Sequence, residues 1–229
     1  MRRAPVIPVV VLRLAVAALG LVALAAQFRV TLVNDFSVVN FFSYFTNLSN
    51  LLAVVVLTVG AVRTARGTPD TRAWSLVRAS TVVALVFVGL VFNLLLAGLD
   101  VGAVIPWVNV VVHMLVPVVV LVDWLVLPPE GRLPWRAVAV GVVFPVAYSV
   151  YSLVRGAVVG FYPYPFYDPS AVGGAGGVAL YLLALVVALV VLSTLVVALG
   201  RRRRPQTEAG PAEAGPTQAG PAEAGPTQS

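Results

Sequence analysis

The sequence predicts an all-α polytopic membrane protein: a six-helix transmembrane bundle with both termini in the cytoplasm (N-in/C-in) and a disordered C-terminal tail. Three observations predict it. Hydrophobic residues fill 60% of the 229 positions and charged residues only 10%, too few polar groups to cover a soluble domain of this size. The apolar residues fall into six blocks, each long enough to cross a hydrocarbon core of roughly 30 Å. The basic residues, all of them arginine, gather at alternate ends of those blocks.

The first block covers residues 9–28, behind Arg2 and Arg3. Ala23-Leu24-Ala25 resembles a signal-peptide cleavage site, but the block is long for a signal core and five more follow, so it reads as a span. The others cover residues 40–62, 76–97, 104–127, 135–159 and 178–199, the last ending at the arginine run Arg201–Arg204. Each supplies about 20 residues at a helical rise of ~1.5 Å. Pro117 and Pro145 fall inside spans four and five, where membrane helices tolerate proline and often kink. Residues 1–204 thus form the membrane domain. Residues 205–229 repeat Ala-Gly-Pro every five positions, which excludes helix, strand and core, so this stretch reads as a disordered tail.

Orientation follows from the arginines. With the N-terminus inside, Arg2, Arg3, Arg13, Arg63, Arg66, Arg72, Arg78, Arg132, Arg136 and Arg201–Arg204 lie on the cytoplasmic side of a plasma membrane, and only Arg29 and Arg155 lie outside. The reverse topology inverts that ratio. The net charge of +6 is therefore a topology signal and not a nucleic-acid footprint. Arginine without lysine in an Ala/Val/Gly-rich chain also suggests a bacterial genome of high GC content.

The absences narrow the chemistry. There is no cysteine, so disulfides, thiolate catalysis and cysteine metal sites are excluded. One histidine excludes bis-histidine haem and multi-histidine zinc within the chain. No lysine excludes a retinal-type Schiff base. No cofactor or metal is expected, and the expected partners are membrane lipids.

Polar side chains inside spans are costly in lipid and carry the remaining information. Asn40, Ser43, Asn47 and Asn50 share one helical face of span two, with Thr46 beside it. Asn109 and His113 share a face of span four, Asn93 lies near the end of span three, and Tyr148, Tyr151, Ser152 and Arg155 form a stripe on span five. Thr46 is expected about six residues, ~9 Å, below the outer end of its span, and His113 about nine residues, ~13 Å, below that of its own. The set converges on the outer half of the bundle, where the aromatic loop 161–168 is placed to cap a cavity. Asp123, ~15 Å deeper than His113, is expected to pair with a cytoplasmic-side arginine instead. The plain reading of the asparagines is interhelical hydrogen bonding, and that of the aromatic loop is an interfacial belt.

The chemical reading joins Thr46 to His113. A threonine hydroxyl is a weak nucleophile until a base takes its proton, and His113 is the only base of neutral pKa in the membrane region. The amides of Asn47, Asn50 and Asn109 are candidate donors to an oxyanion, and Asp168 or Asp35 could complete a triad from the outer loops. Such a set fits hydrolysis of a lipid ester.

Tyr44-Phe45-Thr46-Asn47-Leu48-Ser49-Asn50, the Trp107-Val108-Asn109 segment followed by His113, Pro117 and Asp123, and the Tyr164-Pro165-Phe166 turn resemble the androgen-induced (FAR-17a-like) membrane family. The resemblance runs through spans two to six and looks closest to the bacterial six-helix Pr-six-Pr membrane proteins. Eukaryotic members are membrane threonine hydrolases of fatty acid esters of hydroxy fatty acids. The resemblance implies Thr46 as nucleophile and His113 as its partner. Ser49 stands where that family's pattern has an acidic residue, and the tail lies outside the pattern. Asn47, Asn50, Asn93, Asn109, Arg155 and Tyr164 are then candidate substrate-binding residues. The alternative is a lipid-binding or carrier protein with the same pocket and no reacting pair. A transporter is disfavoured, since the halves show no repeat.

Overall fold

The computed structural model describes residues 6–99 and 104–201; the proposed tail, the two leading arginines and Arg202–Arg204 lie outside these residues. The described chain is helical, with six helices long and apolar enough to cross a membrane. It is an integral membrane protein built as α1 (Val6–Val33), α2 (Val38–Phe42), α3 (Phe45–Ala65), α4 (Arg72–Val91), α5 (Pro106–Val110), α6 (Val116–Val126), α7 (Ala137–Val159) and α8 (Ala175–Gly200). Helices account for the spans because lipid offers no partner for backbone N–H and C=O groups, which a helix pairs within itself.

Successive spans reverse direction. We call the end holding α2 and loop 160–174 the upper end, and the end holding Val6 and Gly200 the lower. α4 is the central helix, packed against α3, α6, α7 and α8, and its Val83, Ala84 and Leu85 are wholly buried. α1 and α8 are mostly apolar and present residues such as Ile7, Val22, Leu180 and Leu183 outward, as a helix facing lipid should.

Two features depart from six plain helices. The second block is not one helix. It breaks between α2 and α3, where Tyr44 is extended (φ −81°, ψ 127°). α2 starts on a Ser37 cap, whose hydroxyl accepts the Asn40 N–H, and ends at Ser43. The predicted stripe Asn40, Ser43, Asn47, Asn50 is therefore split between two helices, and Thr46 sits in the first turn of α3 instead of a turn and a half down a longer span. Three α7 side chains hold the break: Tyr148 donates to the Ser43 carbonyl at 2.8 Å, while Tyr151 and Arg155 reach the Ser43 hydroxyl at 2.9 and 3.1 Å. Spacing on one strip of sequence could not reveal contacts made from a hundred residues away.

The second feature is a pair of single π-helical turns. Phe92–Leu96 extends α4, and Val111–Leu115 joins α5 to α6. The second precedes Pro117, which has no N–H for the His113 carbonyl, and a wide turn accommodates that loss. The His113 carbonyl lies against Gly89, where a Cβ would stand 3.0 Å from it. Gly89 thus lets α4 approach the histidine turn. The remaining proline, Pro145, stays within α7.

Candidate active site

The break after Ser43 creates the chemistry of Thr46. Because the residue lies in the first turn of α3, its N–H has no carbonyl of its own helix to bond. It donates instead to the Tyr164 hydroxyl at 3.2 Å. The Thr46 hydroxyl is 3.2 Å from His113 Nε2 and 3.3 Å from the Tyr164 hydroxyl. Thr46 is buried and His113 half-buried.

The histidine tautomer follows from its other nitrogen. Nδ1 lies 3.2 Å from the Asn109 carbonyl oxygen, which can only accept, so Nδ1 carries the proton. Nε2 is then a lone-pair acceptor for the Thr46 hydroxyl. Tyr164 completes the set by donating to the Thr46 oxygen while accepting the Thr46 N–H. Burial pushes the Tyr164 hydroxyl up to about 12, against the pull of its bonds to Thr46, so it stays protonated as a donor. The imidazole is held flat by Phe92, whose ring stacks at 3.8 Å and 18°. The two π-helical turns thus bring Phe92 and His113 face to face.

The other expected residues divide. Arg155 lies at the upper end beside Asn40 and Ser43. The Asn47 amide donates to the Phe41 carbonyl, and the Asn50 amide to the Thr46 and Val112 carbonyls. Both amides tie backbone together; Asn50 thereby has both of its hydrogens engaged, and Asn47 has one. Asn109 contributes through its main-chain carbonyl, and its side-chain Oδ1 has no partner among the described residues. Asn93 is exposed and bonds Gly89 in its own helix, so it stands apart from the site. Neither loop carboxylate reaches the histidine: Asp168 Oδ1 takes Ser170, and Asp35 occupies a left-handed turn position (φ 53°). A backbone carbonyl, that of Asn109, orients His113.

A crevice with about 530 Å³ of empty space, part of it open to the surroundings, leads away from Thr46. Tyr148 and Tyr164 stand at its polar end, and Leu182, Leu185 and Leu189 of α8 line its apolar length. Those leucines span about 10 Å along α8. The 161–168 loop does roof a cavity, through Tyr164, Phe166 and Tyr167. The sequence pointed to Tyr148 within the span-five stripe but not to Phe92 or Gly89. Only Gly89, a glycine inside an apolar helix, carried a local signal of close approach.

At the lower end lies a second polar cluster. Asp123 takes Arg13 through Nε at 2.7 Å and Nη2 at 3.0 Å, and Arg78 at 3.3 Å. Arg78 also pairs with Asp70 at 2.9 Å and donates to the Leu127 carbonyl. Arg13 adds the Gly60 carbonyl and the Thr64 hydroxyl. Asp123 thus does pair with arginines, as expected of it. No family model matches the chain, and neither a curated protein nor a solved structure matches it.

Proposed function

We propose that the protein is a multi-pass plasma-membrane hydrolase of lipid esters, oriented with both termini in the cytoplasm, with Thr46 as nucleophile and His113 as base. The observation that carries the reading is the Thr46 hydroxyl within hydrogen-bond reach of His113 Nε2, with Nδ1 engaged by the Asn109 carbonyl. The orientation rests on the arginines: Arg13, Arg63, Arg66, Arg72, Arg78, Arg132, Arg136 and Arg201 lie toward the lower end, Arg29 and Arg155 toward the upper.

In this reading the Thr46 oxygen attacks the ester carbonyl carbon as its proton passes to Nε2. The tetrahedral oxyanion forms where the Tyr164 oxygen now rests, before the Thr46 N–H and the positive end of α3. Tyr164 shifts to donate its proton's hydrogen bond to that oxyanion. Collapse breaks the ester C–O bond, and the alcohol leaves with the proton from Nε2. Water then attacks the acyl-threonine, giving up a proton to Nε2, and frees the acid and Thr46. The apolar crevice suits an acyl chain.

The competing reading is a lipid-binding protein without turnover, favoured because among the described residues a backbone carbonyl and no carboxylate stands behind His113. Membranes treated with a serine/threonine-directed fluorophosphonate separate the two. Wild type should label, Thr46→Ala should not, and His113→Ala should label about 10³-fold more slowly. Labelling that survives Thr46→Ala overturns the mechanism.

A further inference from the structure

Among the described residues around Asn40 and Ser43, Arg155 is the one cation, and nothing in the proposed reaction uses it. It lies four residues before the end of α7, about 6 Å below it. Its Nη2 donates to Asn40 Oδ1 at 2.6 Å and its Nε to the Ser43 hydroxyl at 3.1 Å. Its guanidinium lies 5.0 Å from the Phe161 ring centre. Asn40 and Ser43 are neutral, so among the described residues no carboxylate offsets the charge; the ion pairs there all belong to Arg13 and Arg78. Of five guanidinium N–H donors, only the two just named are engaged among the described residues. The residue is half-buried.

We propose that Arg155, braced by Asn40 and Ser43, is a seat for the anionic headgroup of a lipid. A guanidinium fork engages phosphate or carboxylate oxygens in pairs, and a partly desolvated site strengthens that contact. The surroundings select a lipid over a free anion. On the same helix Tyr151, Val154 and Val158 are 43%, 58% and 77% exposed, so the way in runs along an apolar flank. A headgroup arriving there keeps its tails in hydrocarbon, whereas a free phosphate has no such gain.

The test measures binding in the full chain carrying Thr46→Ala, so hydrolysis plays no part and failure of the seat is distinct from failure of the nucleophile. Protein is exchanged into nanodiscs of phosphatidylcholine with a minor fraction of phosphatidylglycerol, then released into native mass spectrometry. Phosphatidylglycerol should be retained over phosphatidylcholine of the same chains, and Arg155→Gln should cut that preference about tenfold, the value of a charge-assisted hydrogen bond. Asn40→Asp guards against a folding defect: it keeps the shape and the bond to Nη2 but supplies an internal carboxylate, and it should also abolish the preference. Retention unchanged in both variants overturns the seat. Displacement of the lipid by millimolar inorganic phosphate overturns the assignment to a lipid-borne anion.

Discussion

The two ends of the bundle hold arginine in opposite ways. At the lower end Arg13 and Arg78 share Asp123, Arg78 takes Asp70 as well, and backbone carbonyls accept further N–H groups. At the upper end Arg155 leans on a neutral amide and a hydroxyl, beside a threonine whose N–H and hydroxyl both meet a single tyrosine oxygen. Buried charge is expensive and is ordinarily neutralised on the spot. The lower cluster obeys that rule and joins α1, α3, α4 and α6. The upper cluster holds a cation with no carboxylate partner among the described residues, and a threonine that borders the crevice. The contrast teaches that a brace and a site can be built from the same residue types, and that charge balance tells them apart.

Removing the balance should have the largest effect. Asp123→Ala leaves Arg78 with Asp70 alone and Arg13 with only the Gly60 carbonyl and the Thr64 hydroxyl, and should cost about 3–5 kcal/mol of stability, read as thermal unfolding in detergent. The double substitution Arg13→Met with Asp123→Leu should cost less, because Arg78 keeps Asp70 and the charges leave together. If Asp123→Ala melts like wild type, the lower cluster is no brace and the comparison fails.

At the upper end Tyr164→Phe should change stability by only about 1 kcal/mol, the net worth of a hydrogen bond. It should slow fluorophosphonate labelling about a hundredfold, as expected of a lost oxyanion donor. Unchanged labelling would reduce Tyr164 to a roof residue. A smaller effect is expected at Gly89→Ala. The new Cβ, 3.0 Å from the His113 carbonyl, asks α4 to move back by a few tenths of an ångström. That should cost about 1 kcal/mol and loosen the Phe92–His113 stack, with a modest fall in labelling. A gain in both stability and labelling would show that the close approach is not needed.

Much of this was legible from composition and spacing. Span number needs only hydrophobic length, because lipid imposes one solution on a long apolar segment. The observed spans differ from the expected ones mainly at their ends: α1 runs five residues further than residue 28, and α8 starts three residues before 178. Thr46 and His113 were legible because polar residues are rare enough in these spans to stand out, and Tyr164 through the aromatic loop that holds it. The role of each amide was not. Asn47 and Asn50 look like free donors in a stripe, but one hydrogen of each goes to a carbonyl left open by the α2–α3 break or by the π-helical turn near Pro117.

By itself the sequence determined six helices in lipid, a polar set around one histidine, and an aspartate destined for arginines. These follow from quantities local to the chain: hydrophobic length, residue type and helical period. Only the tertiary structure decided that Thr46 stands at a helix start with its N–H turned to the Tyr164 hydroxyl, that a backbone carbonyl and not a carboxylate fixes the tautomer of His113, and that Arg155 has no acidic partner among the described residues. Each of those depends on which groups from distant spans meet. In a membrane that is set by packing and hydrogen bonding between helices, because hydrophobicity, equal on every apolar face, cannot choose among them.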